Sequence, residues 1–258
     1  MIGQIFPLFR EGYLLRTQML EAFTDYSFRF GELLYTGYAD GIISGCQLTT
    51  AGDAVIVQPG LVLFYGKVLY IKEPTPVSYA PTDELRVLKL RYMGEDKTDS
   101  MIRYDMELLL DRDAGQRDGE IELCRFTLQQ GAYLRSQYRD FEDWGTEYDT
   151  LCMVHARYAA PGHATLHPGL TKAFAREMLD CMPQDQTDID FCLGILGRAE
   201  PVCMEALAAY IRLRNGGTAV EPENGAIYQG LLEILREVKG GGGQKRAAGR
   251  KHRSIVLE

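Results

Sequence analysis

The sequence predicts an α+β chain: an N-terminal helix, an antiparallel β-rich module of sandwich or barrel type, then a small all-α C-terminal domain. Three observations carry this. Apolar residues recur at helical spacing over residues 10–36. Short apolar runs alternate with glycine and proline punctuation over residues 38–140. Beyond Leu151 the periods turn helical again. A two-residue alternation belongs to strands and a 3.6-residue one to helices, so the order of the two fixes the fold class.

The first helix is read from Leu15, Met19, Leu20, Phe23, Phe30, Leu33 and Leu34, with Thr17 as its cap and a bend near Tyr26 and Ser27. These positions cover more than one helix face, so the helix is expected to pack against a partner as well as its own chain. In the β-rich part, residues 54–58, 61–65 and 68–71 read as three antiparallel strands. Pro59 and Gly60 form a type II turn between the first two, and Gly66 and Lys67 turn the second pair. A spacer with three prolines follows. Residues 85–92, 102–110 and 121–128 are the next strands, separated by polar loops, and the last turns toward Tyr133 and Leu134. Four helices are placed at 169–182, 189–196, 201–214 and 225–238. Pro201 sits in a first turn, and Asn215, Gly216 and Gly217 act as a stop. The glycine run 240–243 reads as a flexible linker to a basic tail. The boundaries are thus 1–36, 37–140, 150–239 and 240–258.

The composition is that of a soluble globular protein, and no apolar run reaches the roughly 20 residues of a membrane-spanning helix. No signal peptide is read at the start, so synthesis in the bacterial cytoplasm is expected, with no membrane partner. The net charge of −8 hides an asymmetry: residues 245–253 hold Lys245, Arg246, Arg250, Lys251 and Arg253 and no acid. The remainder carries 23 basic against 36 acidic residues, a net −13 that repels nucleic acid. Six scattered cysteines form no CxxC pair and read as free buried thiols.

Candidates for chemistry are few. Cys152, His155, His163 and His167 have zinc-compatible ligand types, but their C-x2-H-x7-H-x3-H spacing is not a standard finger. An interhelical loop with surface histidines and one buried cysteine is the plainer reading, and no cofactor or metal is assigned. Cys181, Cys192 and Cys203 recur every 11 residues, yet Pro183 and Pro201 break any continuous helix, which leaves core packing. Asp140, Glu142, Asp143, Glu147 and Asp149 read as a solvated interdomain loop rather than a cation site. There is no Walker A, HExxH or GxSxG pattern, so no nucleotide-driven motor and no catalytic residue is assigned.

Residues 10–140 resemble N-terminal modules of phage and prophage tail-fibre or baseplate proteins. The resemblance lies in Glu11, Gly12 and Tyr13 opening a helix, in the stretch 38–45, in 55–66 around Pro59 and Gly60, and in 122–128 followed by Arg139 and Asp140. It implies a virion structural protein assembled into a tail particle, with no enzyme activity. Its partners would be other tail or baseplate proteins, with several copies of the module. Separately, the apolar residues on more than one face of the first helix predict self-association, a trimer first, through Leu15, Met19, Phe23, Phe30, Leu33 and Leu34. The chain has no repeats and no receptor-binding tip, so a baseplate or fibre-attachment subunit fits better than a complete fibre. The basic tail has three open readings: a docking peptide, in which SIVL could add as a strand; plain disorder; and a nucleic-acid arm. The alternatives for the whole chain are a ligand- or metal-binding protein and a nucleic-acid-binding accessory protein.

Overall fold

The computed structural model describes residues 7–248, with side chains to residue 240. Arg250, Lys251 and Arg253 of the tail lie outside the described residues, as do the side chains of Lys245 and Arg246. The fold is α+β, as the periodicities predict: among the described residues, one α-helix, three antiparallel three-stranded sheets, then four α-helices.

Helix α1 (Thr17–Leu34) is followed by strands β1 (Gly41–Gly45), β2 (Leu48–Ala51), β3 (Ala54–Val57), β4 (Gly60–Phe64), β5 (Lys67–Ile71) and β6 (Thr75–Ser78). β1 pairs with β4 while β2 pairs with β3, so residues 41–64 form one long hairpin folded over at a corner. β5 extends the first half and β6 the second. This corrects the expected hairpin between residues 54–58 and 61–65. Those strands follow one another along one arm and diverge into different sheets at Pro59. Gly60 does not have the positive φ of a type II turn. Glycine is needed there for proximity instead: a Cβ at Gly60 would lie 2.4 Å from the Cys46 nitrogen and 2.6 Å from the Ser44 oxygen. Opposite it, Gly45 has φ +70° and a Cβ there would lie 2.3 Å from the Pro59 oxygen.

β6 falls within the proline-rich spacer, where no strand was expected. Pro76 is tolerated because β6 pairs on one edge only, with β3. The third sheet has the order β8-β7-β9, from β7 (Leu85–Lys97), β8 (Ile102–Asp111) and β9 (Glu120–Thr127). β7 outruns β9, whose pairing stops at Arg91, so the distal β7–β8 hairpin projects as a two-stranded arm. The outer edge of β9 is covered by bridges from Tyr148 to Thr127 and from Cys152 to Arg125.

Helices α2 (Pro168–Asp180), α3 (Gln186–Leu196), α4 (Met204–Arg214) and α5 (Asn224–Ala248) complete the chain. α4 begins at Met204, so Pro201 precedes the helix rather than opening it. Thr17 is likewise not a cap: Arg16 holds that position and makes no side-chain bond. α5 continues through the glycine run 240–243, where a linker was expected. Helical main-chain bonds need no side chain, and glycine only weakens them. Two apolar clusters result. One fills the sheets, centred on Val62, Phe64, Leu88, Leu123 and Phe126. The other lies among the helices, with Phe141, Phe174, Leu207, Ile227 and Leu231. Residues 148–165 contribute to both, with Leu151 and Tyr158 in the first and Cys152 and Val154 in the second.

Candidate assembly interface

α1 has no buried residue. Phe23, Phe30 and Leu33 are 56%, 54% and 73% exposed, and Leu15, Leu20 and Leu34 are exposed with them. Met19 is half-buried. Met19, Phe23, Tyr26, Phe30 and Leu33 are spaced 4-3-4-3, the seam pattern of helices that wrap around one another. Tyr26 stacks on Phe30 with ring centroids 5.6 Å apart. The helix meets its own chain on β5, where a Cβ on Gly31 would touch Val68 Cγ2 at 3.4 Å. At 100° per residue the seam centres about 120° around the helix from Gly31, away from the sheet. Residues 7–16 run beside α1 and enclose with it an open groove of 1270 Å³ lined by Pro7, Tyr13, Leu14, Met19 and Tyr26. All six interface residues expected from sequence therefore lie on or next to one helix that its own chain leaves largely bare.

The other candidates resolve into structural roles. Cys152 is buried, and its backbone bridges to Arg125. His167 caps α2: its Nδ1 accepts from the Gly169 N–H at 2.8 Å. Its ring sits between Trp144 and Tyr158, at centroid distances of 5.1 and 4.8 Å, and burial pushes its pKa down to about 4. Only His155 and His163 share a cavity. Among the described residues no group of three or more metal-ligand side chains forms. Burial pushes the Cys46 thiol up to about 11 and those of Cys152 and Cys192 up to about 12, so none is a thiolate at neutral pH. Cys181 and Cys203 end α2 and precede α4, half-buried, on no common helix face.

The acidic cluster is not the solvated loop the sequence suggested. Residues 142–145 form a 3-10 turn, and Asp143 is buried within it. Its two oxygens accept from Arg135 at 2.6 Å each, and one also accepts the Arg139 N–H at 2.9 Å. The Arg135 hydrogen bonds hold this carboxyl far below the usual carboxylate range. Asp140 accepts the Asp143 N–H, and Glu142 takes Arg236 of α5. The cluster thus ties the sheets to the helices.

Sequence reading also missed Lys89, which sits in the alternating β7 run as an outward charge yet is 1% exposed. Its Nζ donates to Gly115 O at 2.7 Å and to Glu120 and Asp111 at 3.2 and 3.3 Å. Burial disfavours the Glu120 carboxylate, but Arg91 and Lys89 overcome this and leave its pKa lowered. A polar cavity of 320 Å³ lies where β9, residues 155–164 and the start of α5 meet, lined by Glu122, Arg125, His155, Arg157, His163 and Glu223. Arg125 and Glu122 neutralise each other there through bonds of 2.7 and 2.8 Å. No helix among the described residues is long and apolar enough to cross a membrane.

No protein-family model matches the chain, and no curated protein matches it in sequence. Several solved chains align with it in shape, three of which follow. A chain of the type VI secretion system TssK-TssF-TssG baseplate subcomplex aligns at TM-score 0.45 and 8% identity, over 93% of this chain and 100% of that one. TssK alone, seen in a crystal structure, aligns at 0.43 and 9% identity, over 93% and 72%. A chain of the type VI secretion baseplate complex aligns at 0.41 and 9%, over 92% and 99%.

Proposed function

We propose that this chain is a non-catalytic structural subunit of a phage-like tail or contractile injection particle, at the baseplate or fibre-attachment level, and that copies of it associate through α1. The bare apolar stripe of α1 carries the reading. A helix with no fully buried residue gains little from packing on its own chain, and a contiguous exposed apolar surface marks an interface. The placement in a tail or baseplate rests on the resemblance of residues 10–140. A trimer is favoured because exposed Leu34, about 60° from the seam centre, widens the seam beyond the narrow stripe that a two-helix pair buries. The buried thiols and the salt-bridged acidic turn offer no activated nucleophile. The experiment is a mass measurement by light scattering across concentration. The full chain should reach three times its monomer mass, and a Phe23→Glu, Phe30→Glu double variant should remain monomeric with unchanged circular dichroism. A full chain that stays monomeric at the highest soluble concentration refutes the reading.

A further inference from the structure

We infer that the outer edge of β8 receives the C-terminal segment 250–257 of a neighbouring copy as an added strand. β8 is the outermost strand of its sheet. Its ten residues pair with β7 on one side and with no strand on the other among the described residues. Such an edge presents a row of main-chain donors and acceptors ready for another strand. β8 has no proline and is ten residues long, while Arg103, Asp105, Glu107 and Asp111 put charge on it.

Two features say what fits this edge. The first is charge. Residues 93–107, which form the projecting arm, hold Glu95, Asp96, Asp99, Asp105 and Glu107 against Lys97 and Arg103. Arg103 pairs with Asp105, Lys67 with Glu95 and Arg91 with Glu107, which leaves Asp96 and Asp99 against Lys97, a net charge of −1 at the tip of the arm. Residues 250–257 carry Arg250, Lys251 and Arg253 and no acid, the opposite sign in the same chain. The second is alternation. Ile102, Tyr104, Met106, Leu108 and Leu110 share one face of β8, and the last four pack on the sheet core. Ile255 and Leu257 have the same two-residue period, so an added strand prolongs that apolar face. Ten residues follow Ala248, about 33 Å when extended, which matches the length of β8.

The inference leans on the assembly reading only in that two copies must meet. The test uses the full chain and follows hydrogen exchange at the β8 amides 102–111. At assembling concentrations the amides on the outer edge should exchange about tenfold more slowly than in an Ile255→Pro variant, because proline blocks strand addition. An Ile255→Val variant should keep the protection, and about 0.5 M salt should weaken it. Equal exchange in the full chain and the Ile255→Pro variant overturns the inference. Protection that does not depend on concentration overturns the neighbouring-copy assignment, since the tail would then fold back on its own edge. Light scattering on Ile255→Pro separates the two readings: α1-driven assembly should persist in this variant even if the edge proves empty.

Discussion

Single polar residues decide how the two cores are joined. His167, Asp143 and Lys89 each sit where an apolar side chain would be ordinary, and each is held by a specific partner. Their residue types are plain in the sequence, but their burial is not, since a charge in an alternating or irregular stretch defaults to solvent. His167 gives a measurable consequence. Its folded pKa of about 4 lies below its ordinary 6.5, so the unfolded chain binds the proton first as the solution is acidified. The stability from neutral His167 is full above pH 6.5 and is lost as pH falls from there toward 4, at most about 3 kcal/mol. Burial lowers the His155 pKa as well, which adds to the same slope. Urea unfolding between pH 7 and pH 4 should show this loss. His167→Asn keeps a side-chain acceptor for the Gly169 N–H and should flatten the slope. An unchanged slope would mean the imidazole is solvated in the fold.

At the scale of elements, six strands were legible to within a few residues while β1, β2 and β6 were not, and the expected pairing of 61–65 with 68–71 formed while that of 54–58 with 61–65 did not. The alternation that marks 54–58 and 61–65 is local, whereas pairing depends on where the hairpin bends. The bend is set by the close approach of Gly45 and Gly60, which adjoin each other in the β1–β4 register. A turn dipeptide read alone cannot separate a glycine needed for its φ from one needed for its missing Cβ. Gly60→Ala should therefore destabilise the fold by about 3 kcal/mol or more, because the new methyl meets the Cys46 nitrogen and Ser44 oxygen, main-chain atoms that cannot swing away, as well as the Cys46 sulfur. Gly52→Ala, at a turn with open space around it, should cost about 1 kcal/mol through its positive φ alone. Chemical denaturation of both variants checks the contrast, and similar losses would refute the proximity argument. The helices were easier to place. α2 and α3 begin within three residues of expectation, and Asn215 with the glycines after it ends α4 as read.

For the whole molecule, the division of labour is between a body that buries two cores and a helix that buries none. Removing residues 1–36 should leave the melting temperature within about 3 °C of the intact chain, because a residue that buries little contributes little. The same deletion should reduce the solution mass to that of a monomer. A large drop in melting temperature would place α1 inside the fold rather than between copies.

The amino-acid sequence by itself determined the α+β class, the helix–sheet–helix order and the apolar stripe of α1, since each rests on local periodicity and residue type. Tertiary structure alone decided which strands share a sheet, that Lys89 and Asp143 lie inside, that the four Cys and His candidates scatter, and that α1 stays bare. Those outcomes depend on which distant segments meet, and contacts between distant segments leave no periodic mark on the chain.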